Sequence, residues 1–112
     1  MLVGADVFVG VSRPNLISSN EVRIMNQDPI IFALSNPEPE IMPEEAYAGG
    51  AAIVATGRSD FPNQVNNVLA FPGLFKGVLE ARIPQIEHKH LIAVAKALAD
   101  YVKTPTKDEI IP

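Results

Sequence analysis

The chain has 112 residues, a formal net charge of -4, 47% apolar and 20% charged residues, and no cysteine. That length holds one domain's core, and the acidic balance argues against a nucleic-acid partner, since little positive charge is available to neutralise phosphates. No disulfide, thiolate metal site or cysteine nucleophile can form, and no apolar run reaches the length of a membrane-spanning helix.

Taken in chain order, the first apolar run is Val7-Phe8-Val9-Gly10-Val11. It is β-branched, aromatic and nearly continuous, the pattern of a strand covered on both faces of a parallel sheet. Ser18, with Glu21 three residues on, is a capping-box signature for a short helix carrying Val22, Ile24 and Met25. Ile30-Ile31-Phe32-Ala33-Leu34 reads as a second strand. Pro43-Glu44-Glu45 opens a second helix, with proline suited to the first turn and acids on the positive end of the dipole, and Gly49-Gly50 ends it. Ala52-Ile53-Val54-Ala55 is the third strand-like run. Buried helix segments share this apolar pattern, but the short lengths and the flanking Gly, Pro and Asp favour strands.

Strand, helix, strand, helix, strand implies right-handed crossovers and a parallel α/β sheet. A polar loop follows at Gly57–Asn63, then a helix from about Pro72 to Arg82. Pro84 interrupts the chain, and a longer helix is expected over Glu87–Val102, with Leu91, Val94, Ala95, Leu98 and Val102 on one face. The fold class is thus a partial Rossmann-like sheet of about three strands with flanking helices and a C-terminal helical segment. Residues 1–82 are expected to form the sheet with its helices, and the helix and tail of 83–112 to pack on it.

In open parallel sheets, ligands bind outside the carboxyl ends of the strands. Those ends are Ser12-Arg13-Pro14, Ser35-Asn36-Pro37 and Thr56-Gly57-Arg58-Ser59-Asp60, all small and polar and all expected on one edge. Loops are also polar for reasons unrelated to ligands. Asn66 and Asn67 lie between apolar Val65 and Val68-Leu69-Ala70-Phe71, where two adjacent amides plus Gln64 exceed what one helix cap needs. If buried, they require partners, and a ligand carboxylate, hydroxyl or carboxamide would serve.

The run TGRSDFPNQVNNVLAFPG, with FALSNPEPEIMPEEA and DVFVGVS upstream, strongly resembles the bacterial-type malic enzymes, which oxidatively decarboxylate malate to pyruvate with NAD or NADP. The resemblance covers about Gly4 to Arg82 and corresponds to the later half of that family's nucleotide-binding domain. It implies that Asn36 and Asn67 contact malate and the nicotinamide, with Asn66 a neighbour on the substrate side. It also implies that Gly10, Val11 and Ser12 pass beside the nicotinamide and its ribose. Thr56, Gly57 and Phe71-Pro72-Gly73 resemble backbone-shaping positions, while Arg58 and Asp60 belong to the signature without a catalytic role.

The family's chemistry further implies a tyrosine and a lysine as acid and base, and a divalent cation, Mg or Mn, held by acidic residues. Those motifs do not occur here, so no catalytic or metal-binding residue is assigned in this chain. The Gly-rich phosphate-binding turn and its following acid are absent too. Tyr47 and Tyr101 read as packing residues. Glu38, Glu40, Glu44 and Glu45 read as complements to a helix dipole. His88 and His90 diverge by about 200° on a helix and cannot share a metal. The first strand would leave an open apolar edge, so the chain is expected to be part of a longer malic-enzyme-like protein, alone inactive. A non-catalytic module that pairs through that edge is the alternative. A cytoplasmic location, a homo-oligomer, malate and pyruvate as small-molecule partners, and no membrane or nucleic-acid partner complete the expectations.

Overall fold

Three strands, Val7–Gly10 (β1), Ile30–Ala33 (β2) and Ile53–Thr56 (β3), pair in parallel in the order β1-β2-β3 in the computed structural model, which describes residues 2–112. They fall on the three apolar runs of the sequence. The described chain divides into two units, one ending at Val65 and the other spanning Asn66–Pro112.

In the first unit, helix α1 (Ser19–Arg23) joins β1 to β2, and α2 (Pro43–Ala48) joins β2 to β3. The Ser18 capping box forms: the Ser18 N–H donates to Glu21 Oε2 at 2.9 Å, and Ser18 Oγ accepts the Asn20 N–H at 3.3 Å. Pro43 occupies the first turn of α2 with Glu44 and Glu45, and Gly49 caps its end. Gly50 follows at φ +101, a conformation that glycine adopts without a side-chain penalty.

With the strands in sequential order, two right-handed crossovers put both helices on one face of the sheet. The register aligns Phe8 with Ile31 and Val54, and Gly10 with Ala33 and Thr56, on that face. There Val22 of α1, Ala46 of α2, Ile31, Ala33, Val54, Ile41 and Met25 form the buried core. Burying each large aliphatic side chain stabilises by about 1.5–3 kcal/mol. The other face carries Val7 and Val9, which stay 47% and 61% exposed. Coverage of β1 on both faces, expected from its continuous apolar run, is therefore not found: the sequential order leaves one face without a crossover helix.

In the second unit, a 3-10 turn at Asn67–Leu69 leads into α3 (Phe71–Glu80), and α4 (His88–Tyr101) follows. Helix α3 ends in a Schellman arrangement: Arg82 sits at φ 51, its N–H reaches Leu79 O at 3.1 Å, and the Ile83 N–H reaches Val78 O at 3.0 Å. The expected apolar face of α4 is only partly covered. Val94, Leu98 and Val102 are half-buried, while Leu91 and Ala95 are exposed. Val94, Leu98 and Tyr101 border an open groove of about 480 Å³ that Leu74 of α3 also lines.

Candidate active site

The parallel sheet carries the chain to the same edge three times, at Val11–Ser12 after β1, at Leu34–Asn36 after β2 and at Gly57 after β3. Two of these ends touch. A Cβ built on Gly57 would lie 3.0 Å from Asn36 Oδ1 and 3.4 Å from Asn36 Nδ2, so the Asn36 amide rests against the bare backbone of Gly57. Asn36 is exposed, and its side chain makes no hydrogen bond to another described residue. Its two donors and its acceptor are therefore available to a ligand. The Asn36–Pro37 peptide is cis.

Behind these ends lies a buried carboxylate. Glu40 is fully buried, with Oε1 accepting the Ser12 N–H at 2.8 Å and Oε2 accepting the Ser35 N–H at 3.1 Å. Burial pushes its pKa up, but the N–H groups of Ser12, Ser35 and Glu40 itself outweigh burial and hold it below the ordinary carboxylate value. The Ser35 hydroxyl gives its one proton to Glu38 O. Glu40 lies before α2 begins, so reading it with Glu44 and Glu45 as a helix-dipole acid is incorrect. Only the latter two stand in the first turn.

The loop after β3 is held by its own polar groups. Asn63, buried at φ 56, donates from Nδ2 to Val54 O at 3.1 Å, and the Val65 N–H reaches Thr56 O at 2.7 Å. Arg58 clasps Asp60 in a bidentate pair, with distances of 2.8 and 2.6 Å, and lies 5.4 Å from the Phe61 ring centroid. Hydrogen bonding to Arg58 lowers the Asp60 pKa, and the same pair raises that of Arg58. Both groups thus shape the loop.

In the second unit, Asn66 and Asn67 are exposed, not buried as their apolar flanks suggested, and Val68 beside them is 65% exposed. Asn66 Oδ1 accepts the Val68 N–H at 3.0 Å and caps the 3-10 turn. The Asn67 amide makes no hydrogen bond to another described residue, so of the pair Asn67 keeps its full capacity for a ligand. Tyr101 is 75% exposed, which overturns its reading as a packing residue. His90 Nδ1 accepts the Glu87 N–H at 2.9 Å at the start of α4.

Among the described residues, no three His, Cys, Asp or Glu side chains converge as metal ligands. Sequence reasoning missed the role of Glu40. Its signal was an acid set between Pro39 and Ile41, both of which are buried.

The whole chain, residues 1–112, matches the family model described as malic enzyme, NAD binding domain. It is 52% identical over 114 residues to the bifunctional malic/malolactic enzyme of Bacillus subtilis (strain 168), covering 100% of this chain and 28% of that protein. To the NADP-dependent malic enzyme of Rhizobium meliloti (strain 1021) it is 53% identical over 110 residues, covering 97% of this chain and 14% of that one. The crystal structure of malic enzyme from Pyrococcus horikoshii Ot3 superposes with a TM-score of 0.96 at 50% identity, covering 99% of this chain and 26% of the other. The chain thus spans less than a third of the length of these relatives.

Proposed function

The chain belongs to the malic enzyme NAD-binding domain family, and from that premise we propose that it builds part of the malate and nicotinamide wall of an enzyme converting malate to pyruvate with NAD or NADP. The observation that carries this reading is the Asn36 amide, exposed at the strand-end edge, backed by Gly57 and spent on no other described residue. A carboxamide there donates to a malate carboxylate or hydroxyl and accepts from a nicotinamide amide, without adding charge beside either.

Residues of the β1 end fit the nicotinamide side: Val11 and Ser12 are exposed just beyond buried Gly10. We assign Gly10, Val11 and Ser12 to cofactor contact, and Asn36 and Asn67 to both malate and cofactor. Asn66 is a substrate-side neighbour whose side-chain oxygen is already used as a cap. The assignment of Asn67 is supported by the sequence resemblance and by its unspent amide. Bound NAD(P) supplies the hydride acceptor. This chain's contribution is to bind and orient. Among the described residues, its acidic groups do not converge as a divalent cation site. A homo-oligomer, on the resemblance alone, and a cytoplasmic location complete the reading.

The test is malate-dependent reduction of NAD or NADP, with magnesium or manganese, by the full-length enzyme containing this chain and by residues 1–112 alone. Activity is expected in the first and not in the second. A full-length enzyme that oxidises other 2-hydroxy acids but not malate would contradict the assignment. The place of β1 at the edge of the sheet favours a second reading, a non-catalytic module that pairs with a partner chain through that edge. A chain that binds such a partner, measured by size-exclusion chromatography, in a protein inert toward malate would support that reading instead.

A further inference from the structure

Glu40 is an unusual group to bury. It is fully inaccessible, and no lysine, arginine or histidine pairs with it among the described residues. A buried carboxylate without a cation is retained only where N–H groups solvate it, and an apolar residue of the same size would avoid its desolvation cost. The structure shows what the carboxylate does there. One oxygen takes the backbone N–H of Ser12, beyond β1, and the other takes that of Ser35, beyond β2. The backbone of the same segment reinforces the tie, since Leu16 N–H reaches Glu40 O at 2.8 Å and Asn15 N–H reaches Pro39 O at 3.2 Å. Strand β1 leaves room for the acid by having no side chain at Gly10: a Cβ there would lie 2.5 Å from Glu40 Cδ and 2.7 Å from Oε1.

We propose that Glu40 is a positioning residue of the malate and nicotinamide site, clamping the ends of β1 and β2 so that Val11-Ser12 and Asn36 hold a fixed spacing. The inference rests on the proposed malate-oxidising function. Ser35 immediately precedes Asn36, so releasing its N–H frees the amide that meets the ligand. Ser12 closes the Gly10-Val11-Ser12 segment assigned to the nicotinamide. Two N–H donors approaching from two loops require two acceptor oxygens on one side chain. Glutamate supplies both, whereas glutamine supplies one and turns its own N–H₂ toward the second donor. Aspartate is one methylene shorter and cannot keep both contacts in place.

Glu40→Gln in the full-length enzyme tests the proposal with two readouts. Amide hydrogen exchange reads the clamp, and initial-rate kinetics with malate reads its consequence. Faster exchange at Ser12 or Ser35 is expected, together with at least a tenfold fall in kcat/KM for malate, at a temperature where the variant is fully folded. Ile41→Val, a change in the neighbouring buried core residue, serves as the control for lost stability and is expected to keep kcat and KM within twofold. If Glu40→Gln does not fold, Glu40→Asp keeps the charge and is read the same way. Unchanged exchange at both amides overturns the clamp. Faster exchange with kcat and KM within twofold of wild type overturns the positioning role. A wild-type enzyme inert toward malate but protected at both amides overturns the functional reading, and with it the positioning role, while leaving the clamp measured.

Discussion

Gly10→Ala asks how tightly the β1 end and the buried acid are fitted. The new methyl would stand 2.5 Å from Glu40 Cδ, 2.7 Å from Oε1 and 2.8 Å from Cγ. Ordinary contact distances require the two groups to separate by about an ångström, and Glu40 has no solvent to retreat into. Overpacking of this kind costs about 1–3 kcal/mol. If Glu40 moves instead, the buried Ser35 N–H loses its acceptor, at about 1–3 kcal/mol, while the more exposed Ser12 N–H can take water. The expected loss is about 1–3 kcal/mol by either route, a sizeable share of the 5–15 kcal/mol typical of a folded protein. Equilibrium urea unfolding followed by circular dichroism measures it as a drop in midpoint at unchanged slope. Combining Gly10→Ala with Glu40→Ala removes the clash, so the double variant should cost less than the two single losses added together, by about 1 kcal/mol or more. A Gly10→Ala loss below about 0.5 kcal/mol, or strict additivity in the double variant, would refute the close fit.

Three further outcomes are expected. Gly57→Ala should nudge the exposed Asn36 amide by a few tenths of an ångström, raising KM for malate about threefold to tenfold while stability changes by less than about 0.5 kcal/mol. Glu40 is held below its ordinary value of 4.5, so its stabilising contribution is fully present above that pH and is lost as pH falls through the folded-state value. Urea midpoints of Glu40→Gln should therefore fall less steeply than wild type below about pH 4.5, and the comparison cancels Glu21 and Asp60, whose lowered values act in the same direction. Ser18→Ala removes the cap of α1 and should lower stability by about 0.5–2 kcal/mol in the same urea assay.

The strands and the caps were legible because their causes are local. Continuous β-branched runs mark β1, β2 and β3, and Ser18 with Glu21 or Pro43 with Gly49-Gly50 mark helix ends through chemistry within one or two turns. Burial was harder to read. Val65 and Val68 made Asn66 and Asn67 look enclosed, yet Val68 is 65% exposed, because a hydrophobic neighbour in sequence does not say which way a short turn faces. Glu40 was misread for a related reason. An acid three residues before Pro43 satisfies the dipole pattern, but its partner Ser12 lies 28 residues away and meets it only once β1 and β2 are paired. The edge carrying Ser12, Asn36 and Gly57 followed from topology, while the unspent state of the Asn36 amide required coordinates.

The most direct measurement of the central claim is steady-state kinetics of Asn36→Ala and Asn67→Ala in the full-length enzyme, with malate varied at saturating dinucleotide. Both amides are exposed and neither supports the fold, so stability should stay within about 0.5 kcal/mol of wild type. Loss of one ligand-binding amide should lower kcat/KM for malate by about tenfold or more. Wild-type kcat and KM in both variants would contradict the claim that this chain forms the malate and nicotinamide wall.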